Sequence, residues 1–282
     1  MNNIEPLKKK CFDSIFQGPR PCAMIICGQL ARAKAATDLR IFMCSGSLGF
    51  FLLQPDWLLF LLKEIPARWR EWQVSMILWT IRHTKPYNPN DVCYGRLDFD
   101  VSPTFEDESD KALKALTEAK ARPTRLFSSP LIRCTKFADK ASKLLGLPVE
   151  KEPAVIELNF GTWEGQKLTA VPRSEMHAWT SNLRGFRFPE GENFYDIDKR
   201  AGKFLDSLPD DGEFLCITHA GVIAALQHSR CGLPDEVFVE GLFTYAMVTR
   251  FEFTRNSEGN YYGTFTKIHD GIPMPSLKME SA

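Results

Sequence analysis

The chain has 282 residues, 44% hydrophobic and 25% charged, and its 35 basic and 35 acidic side chains cancel to a formal net charge of +0. That size and apolar content suffice for a sizeable core in one large domain or two small ones, and zero net charge removes any bulk electrostatic case for nucleic acid. The eight cysteines, at 11, 22, 27, 44, 93, 134, 216 and 231, form no CxxC pair and no zinc spacing, which argues against a disulfide framework and for a reducing, cytoplasmic setting.

Residues 1–75 hold ten Lys/Arg against six Asp/Glu, so the compensating acidic excess falls on the remainder. Ile41 to Leu62 is apolar for about the length that spans a bilayer, but Gln54-Pro55-Asp56 interrupts it. A central Asp costs about 2.5–3.5 kcal/mol on insertion scales, against about 0.3–0.6 returned by each Leu or Phe. Three readings of this extension stay open: an anchor helix over 41–62, an accessory helical extension, or a stretch not naturally translated, with Met76 as the start. The sequence therefore divides into an extension, 1–75, and a regular domain, 76–282.

From Met76 the pattern is periodic. Met76–Ile81 is a continuous apolar run, as a strand buried on both faces requires. Tyr87–Ser102, rich in Pro, Asn, Asp and Gly, reads as a loop. Glu106–Lys120 reads as a helix with acids in its first turn and Ala112, Leu113, Leu116 and Ala119 on one side. A strand over Thr124–Ser128 follows. A helix then starts at Ser129-Pro130, with serine as N-cap and Gly146 as its stop. Phe194–Leu208 is amphipathic, with Ile197, Ala201, Phe204, Leu205 and Leu208 inward. Phe214–Thr218 reads as a strand and Gly221–Ser229 as a helix. Strands over Tyr245–Phe253 and Tyr261–Ile268 join through a turn at 256–260. Alternating strands and helices give an α/β fold, a three-layer αβα sandwich around a mostly parallel sheet.

Ligands of open α/β sheets bind beyond the carboxyl ends of the strands. Arg82-His83-Thr84 follows one apolar run and His219-Ala220-Gly221 follows another. Arg133 falls in the first turn of the helix after Ser129-Pro130, where free N–H groups suit an anion. Two arginines, two histidines and a helix start make a pocket for a dianion. Glu157, after the apolar pair Val155-Ile156, is the acid placed to reach the same edge, with Glu164 as its rival. Each residue has a plainer reading: a surface Arg-His pair, a core histidine, a helix ion pair, a turn brace. Their joint placement at one edge is what points to a site.

Four stretches taken in order carry a resemblance: Arg82-His83-Thr84, Ser129-Pro130-Leu131-Ile132-Arg133-Cys134, Glu157-Leu158-Asn159-Phe160-Gly161-Thr162-Trp163-Glu164-Gly165 and Thr218-His219-Ala220-Gly221-Val222-Ile223. They resemble the motifs of the histidine phosphatase superfamily, the phosphoglycerate mutase-like fold, over roughly residues 76–253. Cys93-Tyr94-Gly95-Arg96-Leu97-Asp98 is most like the α-ribazole phosphatase branch, which removes the 5′-phosphate of the lower-ligand nucleotide in cobalamin assembly. The chain departs from the common pattern with Thr84 for glycine, Asn193 for serine and Ala246 for glycine.

The resemblance implies a metal-independent phosphomonoesterase without a cofactor, acting on a small-molecule phosphate ester. His83 is the implied nucleophile, its Nδ1–H held by a backbone carbonyl. Arg82, Arg133 and His219 hold the phosphoryl oxygens, and Glu157 is the proton donor and base. Thr84, Tyr94, Gly95 and Ala220 line the substrate side. The alternatives are a broad-specificity or sugar-phosphate phosphatase, a mutase, and a silent phosphate-binding scaffold anchored through 41–62. His177, His228 and His269 lack a sheet-edge setting and read as structural. Trp163 reads as packing, and Trp179, Phe186 and Phe188 as either a lid over the site or a satellite core.

Overall fold

The computed structural model describes residues 76–234, 244–255 and 259–273. The apolar run 41–62 and the three readings of the extension lie outside the described residues, as does part of the turn at 256–260. Among the described residues no helix is long and apolar enough to cross a membrane.

Strands β1 (Met76–Arg82), β2 (Arg125–Ser128), β3 (Val149–Lys151), β4 (Gly212–Thr218), β6 (Val248–Arg255) and β7 (Tyr261–His269) form one sheet in the order β3-β2-β4-β1-β6-β7. Pairings are parallel from β3 through β1, while β6 runs against both its neighbours. Strands β5 (Thr244–Tyr245) and β8 (Ile272–Pro273) form a small separate pair. The helices are α1 (Phe105–Glu118), α2 (Ile132–Leu145), α3 (Arg173–Ser181), α4 (Phe194–Ser207) and α5 (Ala220–Cys231).

Alternation along each strand sends successive side chains to opposite faces. Leu78, Phe127, Phe214, Cys216, Phe251 and Phe253 join the layer under α4 and α5, with Ile197, Phe204, Leu205 and Ile223. Trp79, Ile81, Leu126, Leu215, Ile217 and Val248 pack against Leu113 and Leu116 of α1 and Phe137, Ala138 and Ala141 of α2. The expected three-layer sandwich with a mostly parallel sheet is therefore present, and its central strands are covered on both faces.

Three local expectations change. The helix expected from Ser129 begins at Ile132, capped by an extended Leu131 with no side-chain cap bond. Ser129 is instead fully buried, with its hydroxyl turned to His219. The single strand expected over Tyr245–Phe253 is broken by Ala246, whose φ of 55° belongs to the left-handed region that glycine takes most easily. The break lets Ala246 donate its N–H to the His83 carbonyl and lets Met247 accept from the Arg82 N–H. The stretch between Gly165 and Phe194 contains α3, and its aromatic residues belong to the core. The Trp163 ring meets those of Trp179, Phe186 and Phe188 at 5.9, 5.7 and 5.0 Å. Trp163 and Phe188 belong to the same core cluster as the α4–α5 residues, and Trp179 and Phe186 pack half-buried against it.

Candidate active site

The site follows from strand register. β1 and β4 are adjacent and parallel, with Arg82 opposite Thr218, so the next residue of each strand emerges beside the other. The His83 N–H donates to the Thr218 carbonyl at 2.9 Å, and the imidazoles of His83 and His219 lie with centroids 5.1 Å apart at 61°. β2 flanks β4 with Ser128 opposite Ile217, which brings Ser129 to His219 and the first turn of α2 to the same edge. Arg82, His83, Arg133 and His219 are all buried there.

The His83 tautomer is set by its neighbour. Nδ1 lies 2.7 Å from the Thr84 carbonyl. A carbonyl only accepts, so Nδ1 carries the hydrogen and Nε2 keeps its lone pair. Burial, then the Arg133 and Arg82 cations, hold this imidazole well below its ordinary value, against a smaller upward pull from the Thr84 carbonyl. For His219, Nε2 is 2.7 Å from the Ser129 hydroxyl and Nδ1 is 3.4 Å from Arg133 Nη2. The guanidinium can only donate, so Nδ1 accepts and Nε2–H donates to Ser129. Burial, Arg133, His83 and Arg82 likewise push His219 well below the usual histidine range.

Two neutral buried imidazoles make stability depend on pH. Each has a folded pKa depressed below 6.5, so below that pH the unfolded chain takes up protons that the folded one refuses. Their contribution is complete above 6.5 and is lost as pH falls toward the folded values, at about 1.4 kcal/mol per pH unit and imidazole. Thermal unfolding across this range is expected to show Tm falling on acidification, and His219→Asn is expected to flatten the slope. An unchanged slope contradicts the assignment.

The arginines are held from behind. Arg133 donates through Nη1 to the Leu97 carbonyl at 2.8 Å and through Nη2 to the Gly95 carbonyl at 2.6 Å. Its guanidinium sits 5.2 Å from the Tyr94 ring, and that of Arg82 sits 4.5 Å from the Tyr245 ring. The two tyrosine hydroxyls are 3.2 Å apart, and both rings face His83, Tyr94 at 6.5 Å and Tyr245 at 5.8 Å. Glu157, 8% exposed, accepts from the Leu158 N–H at 2.9 Å and the Gly221 N–H at 3.2 Å, at the start of α5 two residues after His219. Glu164 accepts instead from the N–H groups of Phe160, Arg96 and Leu97 and braces that turn.

The fold thus gathers Arg82, His83, Arg133, His219 and the Tyr94 ring directly. Thr84 and Gly95 act through carbonyls, Ala220 opens α5 half-buried, and Glu157 joins through Gly221. His177 is exposed on α3, His228 lies in the last turn of α5 and His269 ends β7. Sequence reasoning missed Ser129 as a partner of His219, and Tyr245, which carried no signal beyond strand propensity. It placed Arg96 at the substrate entrance rather than on Glu157, and it missed Glu192 and Arg200 around Glu157. Among the described residues no three His, Cys, Asp or Glu side chains cluster as a metal would need.

A β-carbon at Gly221 would collide with Glu157 Oε1 and approach Ile197. Gly221→Ala is therefore expected to displace the carboxylate and, if the chain has the phosphatase activity that the resemblance implies, to lower kcat/KM for alkyl phosphates by about 10²-fold, the scale of a 1 Å misplacement. Steady-state kinetics check it, and wild-type rates in this variant contradict the placement of Glu157.

Residues 78–259 match the family model described as histidine phosphatase superfamily, branch 1. A Hydrogenobacter thermophilus protein named as a candidate phosphoserine phosphatase is 26% identical over 155 residues, covering 53% of this chain and 75% of its own. A probable phosphoglycerate mutase of Yersinia enterocolitica is 27% identical over 160 residues, covering 51% and 74%. The crystal structure of an Escherichia coli K-12 protein named as a candidate α-ribazole-5′-phosphate phosphatase shares the fold, with a TM-score of 0.56 at 20% identity, over 71% of this chain and 100% of that one. With the motif residues gathered at one sheet edge and a family match over that span, the chain belongs to the histidine phosphatase superfamily.

Proposed function

We propose that the chain is a phosphomonoesterase that acts through a phosphohistidine. The observation that carries this reading is a neutral His83, with its Nε2 lone pair free, set among two guanidiniums and a second imidazole. Nε2 forms a bond to phosphorus as the ester P–O bond breaks, and the leaving alkoxide takes the Glu157 proton. Water then attacks phosphorus and gives a proton to Glu157 as the P–N bond breaks, releasing orthophosphate. Arg82 and Arg133 neutralise the equatorial oxygens throughout, with the His219 imidazole beside them, so no resident metal or cofactor enters the scheme.

For the substrate we favour α-ribazole 5′-phosphate or its cobamide form. Two things support that reading: the Cys93–Asp98 stretch and the fold shared with the Escherichia coli protein. The mutase relative supports a second reading, a broad-specificity phosphatase or phosphoglycerate mutase-type enzyme. Among the described residues Cys93, Cys134, Cys216 and Cys231 are free, which supports a cytoplasmic setting. A panel of α-ribazole 5′-phosphate, phosphoserine, 3-phosphoglycerate and p-nitrophenyl phosphate, assayed with EDTA, tests the proposal. The first ester is expected to give the highest kcat/KM. Preference for another reassigns the substrate, and silence on all four removes the hydrolase reading.

A further inference from the structure

Glu157 is held by its backbone as well as by its carboxylate. From α4, Arg200 donates through Nη2 to the Glu157 carbonyl at 3.0 Å and through Nη1 to the Ala154 carbonyl at 2.7 Å. From the loop after β1, Arg96 Nε approaches the same Glu157 carbonyl at 3.4 Å. Glu192 lies between the two guanidiniums. Its Oε1 accepts from Arg96 Nη2 at 2.7 Å, and its Oε2 accepts from Arg200 Nη2 at 3.3 Å and from the Asn159 N–H at 3.1 Å.

Glu192 is itself fixed by the chain around it. Its N–H donates to the Asn159 carbonyl at 2.9 Å, and the Thr162 N–H donates to the Pro189 carbonyl at 2.9 Å. The turn 189–192 is thereby laced to the segment that follows Glu157. The two backbones approach so closely that a β-carbon at Gly161 would strike the Pro189 carbonyl and one at Gly191 the Asn159 carbonyl. The Glu192 and Arg200 side chains are 18% and 17% exposed, so water competes little for either charge. This pair differs in kind from a surface ion pair.

We propose that Glu192 is a positioning residue for proton transfer: it aligns Arg96 and Arg200 on the main-chain carbonyl of Glu157 and so keeps the Glu157 carboxylate on the Gly221 amide, beside His219. The proposal rests on Glu157 being the general acid and extends that assignment outward by one layer. Without the Glu192 charge, two neighbouring cations lose their common counter-ion and the Glu157 carbonyl loses its aligned donors. It also follows that the aromatic excursion ending at Glu192 is coupled to the proton donor.

Glu192→Gln in the full chain tests this with two readouts. The Gly221 amide, followed by hydrogen exchange, is expected to exchange faster than in wild type. The kcat/KM for α-ribazole 5′-phosphate, or for whichever alkyl phosphate of the panel is preferred, is expected to fall about 10–100-fold, as for a misplaced catalytic group, while that for p-nitrophenyl phosphate, whose leaving group needs no proton, changes little. Arg187→Gln is the control, because Arg187 pairs with Asp196 and the Gly191 carbonyl at the same turn without touching Glu157. It is expected to alter neither readout. If Glu192→Gln does not fold, Arg96→Lys, at a side chain 36% exposed, is expected to give the same pattern more weakly. Unaltered Gly221 exchange, or equal losses on the two esters, overturns the proposal. A wild type silent on all four esters of the substrate panel removes the catalytic reading itself, a failure separate from one in which only the variant lacks the split.

Discussion

His83→Ala is expected to abolish turnover and to leave no trappable phosphoenzyme. The expected loss is about 10⁴–10⁶-fold, the scale on which removal of a covalent nucleophile is felt. The size follows from the route. Without Nε2 no P–N bond forms, and water must attack the ester directly in a pocket shaped for an imidazole. On the proposed mechanism Arg82, Arg133 and His219 would still bind the dianion, so KM is expected to move far less than kcat. Rapid quenching of wild type with radiolabelled substrate is expected to trap label that is lost in acid and kept in base, as phosphohistidine is. The same quench of His83→Ala is expected to trap none. Label surviving in the variant, or turnover near wild type, removes the covalent mechanism.

Glu157→Gln is expected to give the second large effect, and its diagnostic is selectivity. Gln keeps an acceptor for the Leu158 and Gly221 N–H groups that Glu157 binds, so the local structure is retained while the transferable proton is lost. For an alkyl phosphate the leaving oxygen is strongly basic and needs that proton. A positioned acid contributes about 10²–10⁴-fold, and kcat/KM is expected to fall by that amount. Nitrophenolate leaves without help, so its kcat/KM, which reports only steps up to leaving-group departure, is expected to change little. Equal losses on both esters contradict the role.

The residues legible in the sequence are those whose position follows from a strand end. His83 and His219 each terminate a short apolar run, and parallel pairing of β1 with β4 does the rest. Arg133 was legible through the Ser-Pro signal although the helix starts three residues after Ser129. A buried serine has more than one partner to choose from, and only tertiary packing decided for His219. Two elements left no readable period. β3 spans three residues, and α3 fully buries none of its side chains, setting only the apolar Met176 and Trp179 half-buried against the core, so it shows no apolar stripe. Ala246 broke a run that looked continuous, because nothing in strand propensity reports a left-handed φ. Arg200 did leave a trace. It lies on the stripe Ile197, Ala201, Phe204, where a charge among inward positions signals a buried partner. Glu192, that partner, sits in a turn and offered no comparable sign.

The aligned ends of β1 and β4 also bear on how the molecule matures. One imidazole is supplied early in the domain and the other after most of it has been synthesised, so no nascent fragment ending before residue 219 presents a complete anion cradle. On the proposed function, substrate and orthophosphate would recognise only the finished fold, and by mass action would draw late intermediates toward it while leaving the denatured ensemble untouched.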